Sequence, residues 1–306
     1  MERPTGATAN CAHEPVYQYS LFDDTRQEAI VNVASVPQRS PFRYPGGKTW
    51  FVPRLRQWLA SLPEKPCEFI EPFAGGGIIS LTAAFENPSL RVTMVELDAD
   101  VAAVWQTILG SDANWLADRI AHFHLTPETV QEEITRIPRD TRERAFQTLL
   151  RNRVNRGGIL APGTGRLKNG ENGKGIASRW YPQTLRTRIN NIALIKDRIR
   201  FIHGDGLQVL RANAERADVA YFIDPPYTAG GKKAGTRLYA HNEVDHEELF
   251  RIATTLAGDF LMTYDNTEDI ASLAACHHLT THAIPMKNTH HARMQELLIG
   301  RNLNWV

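Results

Sequence analysis

Short apolar runs alternate with helix-like stretches along the chain from residue 41 onward. Apolar runs bounded by turn residues are typical of buried strands, whereas apolar residues at intervals of three and four are typical of helices. The strand-like runs are 69–71, 91–95, 219–223 and 259–265, and the helix-like stretches are 49–62, 78–85 and 246–256. This alternation predicts an α/β fold with one doubly wound sheet.

Two segments do not fit this alternation, and they set the predicted domain limits. Residues 1–40 are polar and lack regular periodicity, so we expect an N-terminal tail with some local order. Residues 41–105 and 191–306 should together build the sheet domain. Residues 106–190 then form an insert between its two parts.

The strand-like run 219–223 leads directly into Asp224-Pro225-Pro226-Tyr227. In an open α/β sheet, ligands bind at the carboxyl ends of the strands. An Asp beside a carbonyl that proline holds in place can accept both hydrogens of an exocyclic amine, and a tyrosine ring offers a surface for base stacking. The tetrapeptide therefore indicates a site for a nucleobase amino group. The alternative is a strand that simply ends in a turn, which Asp-Pro-Pro would also produce.

A glycine turn, Glu71-Pro72-Phe73-Ala74-Gly75-Gly76-Gly77, follows the first strand-like run. Glycines in such a turn let a ligand approach the backbone closely. The turn is not the dinucleotide fingerprint of a dehydrogenase, because Ser80 stands where a third glycine is expected. Glu96 ends the next run about twenty residues downstream, where an acid usually binds ribose hydroxyls. Together these features indicate a ligand that contains adenosine.

A third motif, Arg43-Tyr44-Pro45-Gly46-Gly47-Lys48, opens the helix-like stretch 49–62. It is not the phosphate loop of a nucleotide triphosphatase, because that loop needs a glycine where Phe42 stands. A lysine and free backbone amides at the start of a helix suit a carboxylate, such as that of a methionine moiety.

The order of these motifs resembles that of the Dam-type family of DNA adenine-N6 methyltransferases, over roughly residues 41 to 300. The resemblance implies a Rossmann-like methyltransferase sheet with an antiparallel edge hairpin, for which 279–284 and 296–301 are candidates, and a mainly helical target-recognition insert. It implies S-adenosylmethionine as methyl donor, S-adenosylhomocysteine as product and no metal. The implied catalytic residues are Asp224, Pro225, Pro226 and Tyr227. The implied donor contacts are Tyr44, Gly46, Gly47, Lys48, Glu71, Pro72, Phe73, Gly75, Glu96, Asp205 and Asp224, with a plain turn as the alternative at Asp205.

Methylation of an adenine amino group calls for these residue types. The lone pair of that nitrogen is delocalised into the ring, so the nitrogen is a poor nucleophile until acceptors hold its hydrogens. Asp224 and the Pro225 carbonyl fit this task, and the carboxylate stabilises the positive charge that develops. An adenine in a duplex must first be flipped out of the stack, and Tyr227 is expected to stack on the extruded ring.

The net charge of +1 over 306 residues conceals a strongly basic segment, residues 141–200, most of which belongs to the insert. Residues 141–200 contain 14 lysines and arginines but only three acids, so the rest of the chain is acidic overall. Such asymmetry is typical of a surface that binds a polyanion. Solvated helix faces are the alternative interpretation. The stretch from Gly157 to Gly175 is rich in Gly, Asn and Lys, and we expect a mobile loop that orders on DNA.

Two parts of the basic insert resemble the recognition elements of the Dam-type family. Arg151-Asn152-Arg153 resembles the segment before the recognition hairpin, and 178–182 resembles its later half. Arg156 stands where the family usually has Asn, and this changes the expected target sequence because Arg contacts guanine edges where Asn contacts adenine. The predicted DNA contacts are Arg151, Asn152, Arg153, Arg156, Lys168, Lys174 and Arg179.

Other features bear on the setting and the partners. Three scattered cysteines favour neither a disulfide nor a zinc site. No run approaches the roughly 18 apolar residues of a membrane span, and the N-terminus lacks a secretory signal, so we expect a cytoplasmic enzyme of a bacterium or phage. Gln18-Tyr19-Ser20-Leu21-Phe22 resembles the peptide by which bacterial replication proteins bind the sliding clamp; the alternative is a segment that packs on its own domain.

Two other functions remain open from the sequence. The same pocket could methylate an adenine in RNA. A DNA-binding protein with a decayed catalytic motif is the third possibility, and the intact motifs at 44–48 and 224–227 argue against it.

Overall fold

A mostly parallel sheet with helices on both faces forms the centre of the molecule. The computed structural model describes residues 32–44, 46–170, 173–226, 244–287 and 293–306. The predictions for Tyr227 and for the segment 18–22 fall outside these described residues. The strands are β1 (Glu68–Glu71), β2 (Arg91–Glu96), β3 (Ile199–His203), β4 (Val219–Ile223), β5 (Asp259–Asp265), β6 (Thr280–Lys287) and β7 (Arg293–Gly300).

The strand order is β3-β2-β1-β4-β5-β7-β6. Strands β1 to β5 run parallel to one another, whereas β7 lies antiparallel to both β5 and β6. The order reverses between β1 and β4, the kind of switch point at which open α/β sheets bind ligands. The prediction of a doubly wound Rossmann-like sheet is therefore confirmed. Strands β6 and β7 form the expected hairpin.

The helices connect the strands and cover the sheet. They are α1 (Val52–Ser61), α2 (Ile78–Glu86), α3 (Ala99–Leu109), α4 (Ala113–His122), α5 (Pro127–Thr135), α6 (Thr141–Val154), α7 (Pro182–Ala193), α8 (Gly206–Ala212), α9 (His246–Thr255) and α10 (Glu268–Cys276). A short 3-10 helix, Lys48–Phe51, precedes α1. Helix α2 begins after Gly77, and Asp205 caps the start of α8.

Two apolar clusters lie on opposite faces of the sheet. Successive side chains of a strand point to opposite faces, and β4 shows this clearly. Phe222 belongs to one cluster, and Tyr221 and Ile223 belong to the other. All five residues of β4 are buried, which explains why its sequence is a continuous apolar run instead of an alternating one.

The predicted insert is helical, and its helices share the larger apolar cluster with the sheet. Leu149 of α6 and Ile189 of α7 lie in the same cluster as Phe69 of β1. The predicted limits of the insert fall inside α3 and α7, so both helices continue across them.

The last part of the predicted tail, residues 32–40, belongs to the folded body. Val36 is buried in the larger apolar cluster. The Ser40 hydroxyl is also buried and donates a hydrogen bond to the Gly76 carbonyl. The described chain therefore joins the core well before the predicted limit at residue 40.

Candidate active site

Four acidic side chains meet at the carboxyl edge of the sheet. Glu71, Glu96 and Asp265 are the last residues of β1, β2 and β5, and Asp224 directly follows β4. Strands β2, β1, β4 and β5 are consecutive neighbours and parallel. Their ends consequently bring together acids that are far apart in the sequence.

Asp224 is held through one of its two carboxylate oxygens. Its Oδ1 lies 2.9 Å from Lys48 Nζ and accepts a hydrogen bond of 2.9 Å from the Thr263 hydroxyl. Among the described residues, no donor contacts Oδ2. The side chain is 20% exposed. Asp224 is therefore fixed in orientation and presents one acceptor oxygen.

Lys48 joins Asp224 to a second acid, Glu296 of β7. Its Nζ lies 2.8 Å from Glu296 Oε1, and the side chains of Lys48 and Glu296 are only 5% and 2% exposed. In this structure the ammonium group of Lys48 pairs with two carboxylates of the protein, and its predicted contact with the donor carboxylate stays a prediction. A buried ammonium group needs such partners, because its desolvation is costly.

Asp265 lies beside this network on β5. Its Oδ2 is buried and has no hydrogen-bond partner. Burial raises the pKa of Asp265; the positive charge of Lys48 lowers it, and the negative charge of Asp224 raises it further. The carboxyl end of β5 thus adds an acidic group near Asp224.

The glycine turn after β1 packs tightly against two aromatic rings. Gly75 and Gly77 have φ values of +47° and +65°, a region open to glycine but strained for most residues. A Cβ on Gly75 would lie 2.6 Å from a ring carbon of Tyr44, and one on Gly77 would lie 2.7 Å from Trp105. The Trp105 indole also donates a hydrogen bond of 2.9 Å to the Gly75 carbonyl. Both the backbone conformation and the packing require glycine here.

Glu96 lies against this turn at the end of β2. Its Oε2 accepts a hydrogen bond of 2.9 Å from the Gly75 N–H, and its Oε1 accepts one of 2.8 Å from the Asp98 N–H. Burial raises the pKa of Glu96 to about 7; the hydrogen bonds from Asp98 and Gly75 oppose the shift, and the Asp98 charge adds to it. The predicted ribose-binding acid is thus beside the glycine turn.

Glu71, at the end of β1, is the most enclosed of the predicted donor contacts in this group of acids. It is buried, and its Oε2 accepts a hydrogen bond of 2.9 Å from the Ser80 N–H in the first turn of α2. Burial raises the pKa of Glu71 to about 8, although the Ser80 hydrogen bond opposes the shift. Among the described residues, its visible task is to anchor α2.

The other predicted donor contacts surround the same turn. Asp205 caps α8 by accepting a hydrogen bond of 2.9 Å from the Leu207 N–H. The adjacent Gly204 N–H bonds the Glu96 carbonyl, so Asp205 is close to Glu96. The remaining predicted contacts flank these groups: Pro72 is packed against Gly206, Phe73 is half-buried, and Gly46 and Gly47 form an exposed turn after Tyr44.

Sequence comparison identifies the family to which this architecture belongs. Residues 44–276 match the model of the D12 class N6 adenine-specific DNA methyltransferase family. The chain belongs to this family. The match begins at Tyr44 and includes Lys48, Glu96 and Asp224, all of which surround the site just described. No curated protein matches the D12-class chain in sequence.

Solved structures give more distant similarities to the D12-class chain. One is a proposed RNA methyltransferase from Pyrococcus horikoshii, with 11% identity, coverage of 85% of this chain and 84% of that one, and a TM-score of 0.38. Another is the precorrin-6y C5,15-methyltransferase from Geobacter metallireducens, with 8% identity, coverage of 81% and 85%, and a TM-score of 0.35. Similarities this distant do not indicate a substrate.

The predicted DNA contacts of the D12-class chain divide into internal and surface residues. Asn152 is fully buried: its side chain accepts from the Arg43 N–H at 2.8 Å and donates to the Arg43 carbonyl at 2.9 Å. Arg153 is also buried and donates to the Pro41 carbonyl. The Asn152 side chain is thus used to hold Arg43, whereas the Arg153 guanidinium holds Pro41 through one nitrogen and keeps a buried Nε without a hydrogen-bond partner.

The remaining members of that set lie nearer the surface. Arg151 pairs with Asp100 of α3 at 2.6 Å. Arg179 is half-buried, whereas Arg156, Lys168 and Lys174 are exposed. The Arg156 N–H bonds the Gly165 carbonyl, and Asn155 forms an isolated β-bridge with Arg166. Part of the stretch expected to be a mobile loop is therefore tied by backbone hydrogen bonds in this structure.

Sequence reasoning missed three residues that shape the site. Thr263 binds Asp224, Glu296 binds Lys48, and Trp105 binds the glycine turn. Glu296 had a visible signal: it is a charged residue at the start of the apolar run 297–299, in a strand that the fold buries. Thr263 lay in a predicted strand, but nothing in the sequence indicated that its hydroxyl group binds Asp224.

Membrane-spanning helices and clusters of metal ligands are both absent from the part of the chain that the structure describes. No helix in that part of the chain is both long and apolar enough to cross a membrane. The same residues contain no group of three or more His, Cys, Asp or Glu side chains that could hold a metal ion.

Proposed function

We propose that this chain is a DNA adenine-N6 methyltransferase that uses S-adenosylmethionine and acts on a flipped-out adenine in duplex DNA. The observation that best supports this proposal is the geometry of Asp224. One of its oxygens is fixed by Lys48 and Thr263, and no described residue donates to the other at the open edge of the sheet. An acceptor fixed in this way suits an amino hydrogen of adenine.

Asp224 performs the central task in this proposal. Its Oδ2 accepts one amino hydrogen of the adenine, and the Pro225 carbonyl is the proposed acceptor for the other. Both interactions draw the lone pair of the nitrogen out of the ring. The carboxylate also stabilises the positive charge that forms on this nitrogen during attack. The extra proton leaves to solvent afterwards, so Asp224 need not act as a strong base.

Lys48 and Thr263 are the proposed positioning residues. They hold Oδ1 at 2.9 Å each, which prevents the carboxylate from rotating and keeps Oδ2 toward the substrate. Lys48 keeps its own position through Glu296. Precise placement of reacting groups supplies a large share of the acceleration of a bimolecular transfer.

The methyl donor fits the groups around the glycine turn. Glu96 lies at the end of β2 beside Gly75, and Asp205 lies two residues after the neighbouring strand β3. The carboxylates can accept hydrogen bonds from hydroxyl and amino groups. Tyr44 packs on the turn and is proposed to contact the donor. S-adenosylmethionine supplies an electrophilic methyl group on its sulfonium.

The basic insert is the proposed DNA-binding surface. Arg156, Lys168 and Lys174 are exposed and carry positive charge without an ion pair among the described residues. Lysines and arginines of this kind bind phosphates and give affinity that falls with salt. Tyr227 is proposed to stack on the flipped adenine, as expected from its place in the motif.

Transfer of a labelled methyl group tests the proposal. The purified chain is incubated with methyl-labelled S-adenosylmethionine and, separately, with duplex DNA and ribosomal RNA. We expect label in the DNA as N6-methyladenine and none above background in the RNA. Label confined to RNA would replace the DNA substrate by an RNA substrate. No transfer to either nucleic acid, with the donor bound, would contradict an active methyltransferase.

A further inference from the structure

Four arginines gather around the segment that leads into the active site. Arg43 belongs to this segment, which ends at Tyr44. The other three come from the insert: Arg153 lies on α6, Arg179 lies before α7, and Arg188 lies on α7. Arg153 donates to the Pro41 carbonyl, and Arg188 donates to the Ser40 carbonyl at 2.8 Å. The insert therefore places its positive charge directly on residues 40–43.

This arginine cluster contains buried donors that have no acceptor. Arg153 is only 4% exposed, yet its Nε has no hydrogen-bond partner. Arg43 Nη1 is buried and also lacks a partner. Burying a polar group without a hydrogen bond is costly, and folded proteins leave few such groups. Two orphaned guanidinium donors in one cluster indicate an acceptor that comes from outside the protein.

The charges of the cluster repel one another. Burial lowers the pKa of Arg153 to about 9, and the nearby positive charges of Arg188, Arg43 and Arg179 contribute to the shift. Burial also lowers the pKa of Arg43, followed by the charge of Arg179. Among the described residues, no carboxylate forms an ion pair with Arg43, Arg153 or Arg188. Arg43, Arg153 and Arg188 therefore form an anion site for which the described residues supply no carboxylate partner.

The backbone of Arg43 is held in place, which fixes the position from which its side chain extends. The Asn152 side chain binds both its N–H and its carbonyl. Gly158, with φ of +76°, approaches so closely that a Cβ there would lie 2.2 Å from the Arg43 carbonyl oxygen. Residues Asn152 and Gly158, which belong to the basic insert, thus position Arg43 for binding instead of contacting DNA themselves.

We propose that this arginine cluster binds one backbone phosphate of the DNA close to the flipped adenine. Guanidinium groups match phosphate oxygens with paired hydrogen bonds. The location follows from the chain, since Arg43 lies five positions before Lys48, which binds Asp224, and an extended chain of that length spans at most about 17 Å. The cluster thereby couples the position of the strand to the active site. This inference rests on the proposed DNA substrate.

Arg43→Gln is the most informative variant. No hydrogen bond of the described structure uses the Arg43 guanidinium, so the change removes charge without breaking an internal contact. The matched control is Arg251→Gln on α9, which removes the same charge from an exposed surface ion pair with Glu248. Affinity for one duplex is measured for both variants and the wild type at several salt concentrations.

The expected results differ between the variants. Each phosphate contact contributes about 0.9 to the slope of log affinity against log salt. Arg43→Gln should reduce the size of this slope by about 0.9 and weaken binding roughly fivefold or more near 0.1 M salt. Arg188→Gln should act in the same direction. Arg251→Gln should bind as the wild type does, and Arg43→Gln should melt no lower than the wild type because repulsion is relieved.

Several outcomes would overturn the phosphate site. One is that Arg43→Gln binds DNA with the affinity and salt slope of the wild type. Another is that Arg251→Gln loses as much DNA affinity as Arg43→Gln. The third is that Arg43→Gln melts several degrees below the wild type, which would show that the charge of Arg43 stabilises the fold. Failure of the DNA substrate has a separate signature: the wild type would transfer methyl groups only to RNA. The same salt series on that RNA would then decide whether Arg43 contacts a phosphate there.

Discussion

Lys48 Nζ lies 2.9 Å from Asp224 Oδ1, and this contact joins the 3-10 helix before α1 to the residue that follows β4. Glu296 completes the arrangement from the other side at 2.8 Å. One positive charge therefore sits between two carboxylates from distant parts of the sequence. Removing one member of a buried ion pair leaves its partner uncompensated, which is more costly than the pair itself is stabilising.

Replacement of Lys48 by Met should destabilise the protein by about 3 kcal/mol or more. The physical reason is that Glu296 and Asp224 would face each other without a cation. Urea unfolding of the wild type, Lys48→Met, Glu296→Gln and the double variant measures the coupling. We expect the double variant to recover part of the loss, because Gln carries no charge to leave unpaired. Additive losses would show that the two side chains do not interact.

Substitution of Gly75 by Ala should impair both stability and donor binding. The left-handed φ of +47° is strained for alanine, and the added Cβ would meet the Tyr44 ring at 2.6 Å. Two glycines outside the site serve as controls. Gly163→Ala has a positive φ but open space, and Gly165→Ala has neither a positive φ nor a close neighbour.

Melting temperature and calorimetric donor affinity should rank these three variants. Gly75→Ala is expected to lose the most, Gly163→Ala to lose about 1 kcal/mol of stability and no donor affinity, and Gly165→Ala to stay near the wild type. Equal behaviour of Gly75→Ala and Gly163→Ala would show that the Tyr44 ring does not constrain Gly75.

Glu71 should make the protein less stable as the pH rises. Its pKa is 4.5 in the unfolded reference and about 8 when folded. Below pH 4.5 the carboxyl is protonated in both the folded and the unfolded state, so its contribution to the free energy of unfolding is fully present. Between pH 4.5 and 8 the unfolded chain ionises while the folded one stays protonated, so stability falls, by at most about 1.4 kcal/mol per pH unit.

The variant Glu71→Gln isolates this effect, because its amide oxygen can still accept the Ser80 N–H. Unfolding in urea is measured from pH 4 to 9 without donor. The variant should gain stability relative to the wild type as the pH rises toward 8, and the difference should then level off. Parallel stability curves over the whole range would show that Glu71 is not buried in its protonated form.

Glu96→Gln should weaken donor binding about tenfold or more while leaving DNA affinity unchanged. Both Glu96 oxygens accept backbone N–H groups, so an amide NH2 would oppose one of these donors and lose a hydrogen bond to a charged acceptor. Isothermal calorimetry with S-adenosylmethionine measures the loss, and Glu247→Gln, at an exposed position on α9, is the control. Donor affinity equal to that of the wild type would exclude Glu96 from the donor site.

The framework of the sheet was accessible from the sequence because its strands are buried. Val219–Ile223 and Asp259–Asp265 were predicted with the limits that the structure shows. A short, continuous apolar run between turn residues is typical of a strand that is covered on both faces. Glycine turns and terminal acids then mark the carboxyl ends of strands, so Glu96 and Asp224 were placed at the correct edge.

Contacts between distant segments were not accessible. The position of Lys48 beside a glycine pair suggested a bound carboxylate, but nothing near it in sequence pointed to Glu296. Likewise, a basic segment predicts a polyanion partner without saying which charges face solvent. Asn152 and Arg153 turn inward because the 41–43 backbone requires hydrogen-bond partners. Hydrogen bonds of this kind join distant segments and produce no recognisable pattern in the sequence around either partner.

The central claim is that Asp224 accepts an amino hydrogen of adenine during methyl transfer to duplex DNA. The decisive measurement is nucleoside analysis of duplex DNA after reaction of the wild type and Asp224→Asn, alongside DNA and donor affinities for both. The account predicts N6-methyladenine from the wild type and a rate at least about a hundredfold lower for the variant, with both affinities retained. A methyl group on another base, or an undiminished rate for Asp224→Asn, would contradict it.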